Sequence, residues 1–160
     1  MNPSIFQISV KPETHGEVGL PKRPVTQVQI DTLGLVGDYN RYRQKKKNNA
    51  PEMAVLIIST DVLGELNKEG WPVNPGDLGE NLTVNNIDYS TIYPGQKYSI
   101  GEVKIEISFI CDPCTNLYAL SYVGEKRGPK FIETTNNRRG WYARVLKEGS
   151  VSVGDSFLLI

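Results

Sequence analysis

The sequence contains the stretch V-K-I-E-I-S-F-I-C-D-P-C-T-N-L at residues Val103–Leu117. Its apolar residues Ile105, Ile107 and Phe109 alternate with polar ones, which is the period-two pattern of a strand buried on one face. Pro113 has no backbone N–H and fixes its own φ, so the strand is predicted to end before it. The stretch therefore predicts a strand followed directly by a polar loop.

Both cysteines of the chain, Cys111 and Cys114, lie at the end of this strand. Side chains there reach solvent, and nearby cations or free amides favour the thiolate, so Cys114 is the candidate catalytic thiol. The alternatives are a small buried apolar residue and a Cys111-x-x-Cys114 redox dithiol, although the βαβ pattern typical of such dithiols is missing. Structural zinc would need two further ligands, and His15 is the one histidine.

Length and composition favour a single domain over residues 1–160. The 18 basic and 18 acidic residues cancel, so we expect no nucleic-acid or membrane partner. No apolar run approaches the ~18 residues of a membrane span, and the first residues lack the pattern of a signal peptide. We therefore expect a cytoplasmic protein in which the two cysteines are thiols, ligands or redox groups and not a structural staple.

Many short strands separated by Pro/Gly-rich turns are predicted along the chain. They cover Ser4–Val10, Val25–Ile30, Met53–Ile58, Leu82–Val84, Thr91–Tyr93, Lys97–Ile100, Val103–Ile110, Trp141–Leu146 and Ser156–Ile160. One helix is predicted from residue 59 to 70, capped by Ser59 or Thr60, and Tyr118–Thr135 is assigned a short helix and a loop. This pattern favours a mainly β fold, a β-barrel with one or two short helices, over an alternating βαβ sheet.

Two groups of basic residues are candidate sites for an anionic cofactor or another small anionic ligand. They are Arg41, Arg43, Lys45, Lys46 and Lys47 in the first group, and Arg138, Arg139 and Arg144 in the second. Arginine forks match phosphate geometry, which makes Arg139 and its neighbours a plausible rim of such a site. An ordinary hydrated surface is the alternative for both groups. Asn81, in a Gly-rich loop, could present its amide to a heterocycle.

Six short motifs occur in a fixed order over nearly the whole chain. They are G-L-P-K-R-P-V at Gly19–Val25, G-L-V-G-D at Gly34–Asp38, P-G-D-L-G-E-N-L-T-V at Pro75–Val84, I-G at Ile100–Gly101, D-P-C-T-N-L at Asp112–Leu117 and R-G-W-Y-A-R-V-L-K-E-G-S-V-S-V-G-D at Arg139–Asp155. Each motif is weak alone, whereas the ordered set is specific. In this set the chain resembles the MOSC domain, the module named for the C-terminal domain of molybdenum cofactor sulfurases.

The resemblance implies a closed, pyruvate-kinase-like β-barrel associated with the molybdenum cofactor (molybdopterin). It implies either sulfur carriage as a cysteine persulfide or reduction of N-hydroxylated compounds by bound cofactor. By motif position, Cys114 would carry the persulfide or ligate molybdenum, Lys22 would contact the pterin phosphate, and Asp38, Asn81 and Arg144 would line the pocket. No pyridoxal phosphate is expected on this chain, so a cysteine desulfurase or a molybdoenzyme is the expected partner.

The chain departs from the family pattern at two places. Cys111 stands where many members have an arginine, three residues before the motif cysteine, and Tyr39 and Asn40 stand where a histidine often follows the G-D element. A fixed cation is thereby replaced by a thiol. Two alternatives therefore remain, a non-catalytic MOSC-like binding or adaptor domain and a Cys111/Cys114 dithiol redox protein.

Overall fold

The computed structural model describes residues 1–160, with eleven strands and three α-helices. The strands are β1 (Ser4–Val10), β2 (Arg23–Val25), β3 (Gln27–Asp31), β4 (Gly34–Leu35), β5 (Val55–Ser59), β6 (Leu82–Asn85), β7 (Lys97–Ile100), β8 (Val103–Ile110), β9 (Trp141–Lys147), β10 (Gly149–Ser152) and β11 (Phe157–Leu159). The helices are α1 (Arg41–Lys46), α2 (Thr60–Lys68) and α3 (Gly124–Thr135). The mainly β prediction is confirmed, whereas the prediction of one or two helices was too low. None of the three helices has the length and apolarity needed to cross a membrane.

Eight strands form one mixed sheet in the order β11-β7-β8-β9-β5-β6-β1-β2, and β10, β3 and β4 form a second sheet. The predicted closed barrel is not confirmed, because the pairing of the large sheet does not return from β2 to β11. Strands β1 and β11 approach each other at an isolated bridge between Ser4 and Ser156. Strand β2 is a three-residue edge strand whose Pro24 cannot donate a hydrogen bond to a further strand.

Local sequence signals predicted both ends of three strands and the N-terminal cap of α2, whereas β4, β10 and α1 were not predicted. Strands β1, β7 and β8 begin and end at the predicted residues, and the Ser59 side chain caps α2 by accepting a hydrogen bond from the Val62 amide at 3.3 Å. The strand predicted at Thr91–Tyr93 was wrong, since a 3-10 turn forms at Tyr89–Thr91. There the Asp88 carboxylate accepts hydrogen bonds from the Ser90 amide and hydroxyl. This local bonding competes with strand pairing.

A β-bulge at the end of β8 changes which face its last residues use. Val103, Ile105 and Ile107 are buried in the main core as the alternation predicts. The register with β9 then shifts between Ile107 and Ile110, and Phe109 becomes exposed instead of buried. Its ring packs on Tyr142 with centroids 5.3 Å apart. Because a bulge re-aims the side chains that follow it, the end of β8 points into a cavity on the other side of the sheet.

Arg43 of the first basic group turns inward instead of facing a ligand. Its guanidinium donates hydrogen bonds to the carbonyls of Ala50 at 2.8 Å, Asn49 at 3.1 Å and Leu33. The side chain is buried, so its guanidinium ties α1 both to the turn at Leu33 before it and to residues 49–50 after it. The prediction that all five cations form an anion-binding group is therefore wrong for Arg43.

Replacing Arg43 by lysine should destabilise the fold although the charge is kept. We expect the free energy of unfolding to fall by about 1–2 kcal/mol, because an ammonium cannot reach three carbonyls in a fixed fork. Urea denaturation would measure this difference. The matched control is Arg41→Lys on the exposed face of the same helix, which should stay within about 0.5 kcal/mol of wild type. Equal losses in the two variants would contradict the structural role of Arg43.

Candidate functional site

A cavity of about 520 Å³ opens beside the end of β8. This volume lies within the range of roughly 300–1,000 Å³ that is typical of small-molecule sites. Its walls come from the loop before β2, from the segment around α1, and from residues 109–116 at the end of β8. Arg139, just before β9, and Tyr142 on β9 complete the wall. Segments far apart in sequence thus meet around both cysteines.

The half-buried thiol of Cys114 is held against a fixed cation. The Arg139 Nη1 donates hydrogen bonds to the Cys114 Sγ and to the Asp112 carbonyl, both at 3.1 Å. The Arg139 Nε donates to the Leu78 carbonyl at 3.2 Å, and the side chain is buried. A guanidinium pinned in this way provides positive charge and a donor at the sulfur, which stabilises negative charge developing there.

Cys111 also lines the cavity, but its side chain is only 3% exposed. Burial raises the pKa of its thiol above the ordinary value, and the nearby charge of Arg139 and the Tyr142 hydroxyl oppose this shift. Burial likewise raises the pKa of Tyr142. Both cysteines are free thiols in the structure. The sequence-predicted pair is therefore brought to one cavity, with the two thiols in different environments.

Lys22 lies in the cavity wall as the end of a buried polar network. Its Nζ donates to the Asp38 Oδ2 at 2.5 Å, and the Asn81 Nδ2 donates to the same oxygen at 2.8 Å. The Asn81 Oδ1 accepts from the Leu56 amide at 3.0 Å. Asp38 and Asn81 are not among the lining residues. They position the ammonium of Lys22, and the amide of Asn81 is engaged by the protein instead of facing a heterocycle.

The two basic groups of the sequence divide between the cavity and the surface. Arg41 and Lys47 line the cavity, whereas Lys45 and Lys46 are exposed outside it. In the second group Arg139 alone reaches the cavity. Arg138 forms a two-pronged ion pair with Glu69 at 2.6 and 2.8 Å.

Arg144 does not lie where the sequence motif suggested. It is on β9, with its guanidinium 3.7 Å from Glu106 and 3.9 Å from Glu52, and it does not line the cavity. Its neighbours on β8 and in the 3-10 turn before β5 therefore take up its charge. No group of three or more His, Cys, Asp and Glu side chains is arranged to hold a metal ion.

Sequence reasoning missed the four aromatic residues that line the cavity, Tyr39, Tyr42, Phe109 and Tyr142. Of these, Phe109 packs on Tyr142, and Tyr142 packs with Cys111. The alternation in β8 assigned Phe109 to the core, and no local signal indicates on which face of β9 Tyr142 lies. The bulge that exposes Phe109 leaves no sequence signature of its own, since it depends on the register between β8 and β9.

The comparisons with known proteins agree with this fold. The MOSC domain family model matches residues 44–157. A reductase from Gibberella moniliformis (strain M3125 / FGSC 7600) is 32% identical over 140 residues, which cover 83% of this chain and 24% of that protein. This chain therefore spans about a quarter of the length of that relative.

Solved structures of low sequence identity share the fold. The YuaD protein from Bacillus subtilis superposes with a TM-score of 0.81 at 18% identity, covering 98% of this chain and 94% of that one. YiiM from Geobacillus stearothermophilus gives a TM-score of 0.73 at 21% identity, covering 99% and 75%. YiiM from Escherichia coli gives 0.67 at 22% identity, covering 98% and 69%. Since the family model spans most of its length, this chain belongs to the MOSC domain family.

Proposed function

We propose that this MOSC domain serves the molybdenum cofactor as a sulfur carrier, with Cys114 bearing the sulfur as a persulfide. Membership of a family associated with this cofactor supports the proposal. The observation that carries it is the Cys114 Sγ held 3.1 Å from the Arg139 guanidinium in the wall of a ligand-sized cavity. A thiol in this position is accessible from the cavity, has a positive charge next to its sulfur, and is shielded on one side from bulk water.

The residues of the cavity fit an anionic, metal-bearing pterin. Arg41 and Lys47 would hold its phosphate, and the Lys22 ammonium, which Asp38 partly neutralises, would add a further donor. Cys114 offers a sulfur ligand suited to a soft metal centre. When bound, the cofactor supplies the redox chemistry and the final acceptor of the sulfur, while the protein binds and orients it.

Loading of Cys114 transfers one sulfur atom from a donor cysteine to the Cys114 sulfur. The Cys114 thiolate attacks the outer sulfur of a persulfide on the donor, the donor's S–S bond breaks, and the donor leaves as a thiolate. Arg139 stabilises the charge on the attacking sulfur. A cysteine desulfurase is the proposed donor and a molybdoenzyme the proposed recipient. This scheme assigns Cys114 as the catalytic residue and Arg139 as its charge partner.

The Cys114→Ser variant tests the assignment. Exposure to inorganic polysulfide should add one sulfur to wild type, as read by intact mass after desalting, and none to the variant, because a hydroxyl does not form a persulfide. Thermal unfolding should be unchanged, since the side chain is half-buried and near-isosteric. A wild-type protein that accepts no sulfur, and holds no pterin when purified from a host that makes the cofactor, would instead support the non-catalytic binding or adaptor alternative.

The charges at the cavity should bind the cofactor's phosphate in a salt-sensitive way. The Arg41→Gln/Lys47→Gln double variant is expected to bind isolated molybdopterin about tenfold more weakly at low salt, because it removes two exposed charges from the cavity wall. Its matched control, Lys45→Gln/Lys46→Gln, removes the same charge from residues outside the cavity. Fluorescence titration at two salt concentrations measures both affinities. Equal weakening in the two variants would show that the charges act only at long range.

A second candidate function is supported by the matched relative named a reductase. In this alternative Cys114 would ligate molybdenum instead of carrying sulfur, and the metal would supply the chemistry for reducing N-hydroxylated compounds. The two functions differ in what the purified protein holds. Molybdenum in a one-to-one ratio with the chain, lost in Cys114→Ser, would favour the reductase, and a persulfide without retained metal would favour the carrier.

A further inference from the structure

A second thiol shares the cavity wall with Cys114, and the scheme above does not use it. Cys111 lies at the end of β8, is almost fully buried, and lines the same cavity. An ordinary buried cysteine packs in a core away from polar groups. Cys111 does pack in a small apolar cluster with Met53, Leu56 and Tyr142, but it also lines the cavity and is influenced by the charge of Arg139.

The two cysteines are anchored on the same pair of residues. The Cys111 amide donates to the Gly140 carbonyl at 2.8 Å, while the Cys114 Sγ accepts from Arg139 at 3.1 Å. Between them, the Asp112 carbonyl accepts from the same Arg139 nitrogen at 3.1 Å. The tetrapeptide Cys111–Cys114 is thus hydrogen-bonded to residues 139–140 at both of its ends and at Asp112. This arrangement brings both thiols under the influence of the Arg139 charge, in the Cys-x-x-Cys spacing of redox dithiols.

We propose that Cys111 is the resolving thiol of this site, which attacks the Cys114 Sγ of the persulfide and releases the carried sulfur as hydrosulfide. This inference rests on the proposed function, because it requires a sulfane sulfur on Cys114. The substrate class is therefore a persulfide, and the product delivered into the cavity is hydrosulfide. Cys111 is a second catalytic residue, since its sulfur forms a bond to the reacting atom.

The step balances in atoms and electrons. The Cys111 sulfur gives up its proton as it forms a new S–S bond to the Cys114 Sγ, and the bond between that Sγ and the outer sulfur breaks. The outer sulfur, carried as the persulfide anion, leaves with the bonding pair and takes up the proton that Cys111 has lost, which makes it hydrosulfide. The Cys111 sulfur and the outer sulfur exchange oxidation levels, so the carried sulfur is reduced while the thiol pair is oxidised to a disulfide. A dithiol reductant then returns the pair to its free form.

The surroundings of the pair suit this exchange. Arg139, which holds the Cys114 sulfur, can also stabilise the negative charge of the departing hydrosulfide. The burial of Cys111 keeps small thiols from solvent away from its sulfur, so that the neighbour in the same tetrapeptide is its accessible partner. Release then occurs inside the cavity and not at the protein surface.

The test follows sulfur on the full-length chain after loading. Wild type, Cys111→Ala and Cys111→Ser are exposed without oxygen to sodium tetrasulfide, desalted, and then incubated without reagent. We expect wild type to release one equivalent of sulfide while a Cys111–Cys114 disulfide appears in peptide mapping. Both variants should keep the added sulfur on Cys114 and release it at least roughly tenfold more slowly. Dithiothreitol should then liberate it from the variants.

The outcomes separate the inference from the proposed function. If wild type keeps its sulfur on Cys114 while Cys111 stays a free thiol, or if all three proteins release sulfide at the same rate, the resolving role is overturned and the carrier role stands. If Cys114 of wild type takes up no sulfur at all, the carrier role itself is wrong. Peptide mapping of wild type decides the matter even where a variant fails to fold.

Discussion

The Gly140→Ala variant is expected to lose about 3–4 kcal/mol of unfolding free energy, the sum of backbone strain and a steric clash. Gly140 has φ +117°, in the region that side chains with a Cβ rarely adopt. A Cβ there would lie 2.7 Å from the Ile57 carbonyl oxygen and 3.1 Å from the Leu56 Cδ1. Because Ile57 is paired with Trp141 in the sheet, neither backbone can move without breaking that pairing.

Two further Gly→Ala variants separate the two contributions. Gly154 has φ +90° with no atom within 4 Å of an added Cβ, so its variant should lose only the strain, about 1 kcal/mol. Gly64 is exposed within α2, without positive φ or a close neighbour, so its variant should gain up to about 1 kcal/mol. Urea denaturation ranks the three. If the two variants Gly140→Ala and Gly154→Ala lose the same unfolding free energy, the close contact between residue 140 and β5 adds nothing to the loss.

The same substitution should disturb the chemistry of the site. The Gly140 carbonyl accepts the Cys111 amide at 2.8 Å, and Gly140 is the residue between Arg139 and β9. A shift of this backbone moves the guanidinium away from Cys114. We therefore expect slower sulfur uptake from polysulfide by the folded fraction of Gly140→Ala, whereas Gly154→Ala should react as wild type does.

The Glu80→Gln variant is expected to gain about 2–3 kcal/mol relative to wild type between pH 5 and pH 8. Glu80 is fully buried, and burial raises the pKa of its carboxyl from 4.5 to about 7. Its Oε1 accepts from the Gly76 amide at 2.6 Å and from the Thr83 hydroxyl at 3.2 Å. Its Oε2 has no hydrogen-bond partner, so a negative charge there is poorly compensated.

The direction in which stability changes with pH follows from proton binding. Below pH 4.5 the carboxyl is protonated in both the folded and the unfolded chain, and its contribution to stability is fully present. Between pH 4.5 and about 7 the unfolded chain has released the proton and the folded one has not, so stability falls as pH rises. Glutamine keeps the acceptor for Gly76 and Thr83 but carries no charge, so this loss is absent from the variant.

Urea denaturation at a series of pH values measures the effect as the difference between variant and wild type. The control Glu13→Gln removes one carboxyl from an exposed loop and should run parallel to wild type across the series. A difference between Glu80→Gln and wild type that stays constant from pH 5 to pH 8 would show that Glu80 is ionised without cost. In that case the folded protein must stabilise the negative charge on the Glu80 carboxylate, although its Oε2 has no hydrogen-bond partner.

The sequence by itself determined those elements whose signals are local. The alternation from Val103 to Ile107, Pro113 after the end of β8 and the Ser59 cap of α2 each depend on residues within a few positions. The resemblance of six ordered motifs identified the family and predicted Cys114 as the reactive thiol. Such features are readable because side-chain periodicity and capping are properties of a single segment.

The tertiary structure alone decided which residues share the cavity. Arg139 reaches Cys114 whereas Arg144, five residues further on, pairs with acids on the surface. Lys22, Asp38 and Asn81 meet through hydrogen bonds between residues 16 and 43 positions apart. These outcomes depend on the register between β8 and β9 and on long-range pairing, where a shift of one residue reverses the face of every side chain. No local pattern encodes that register, so the assembly of the charged groups appears only in the fold.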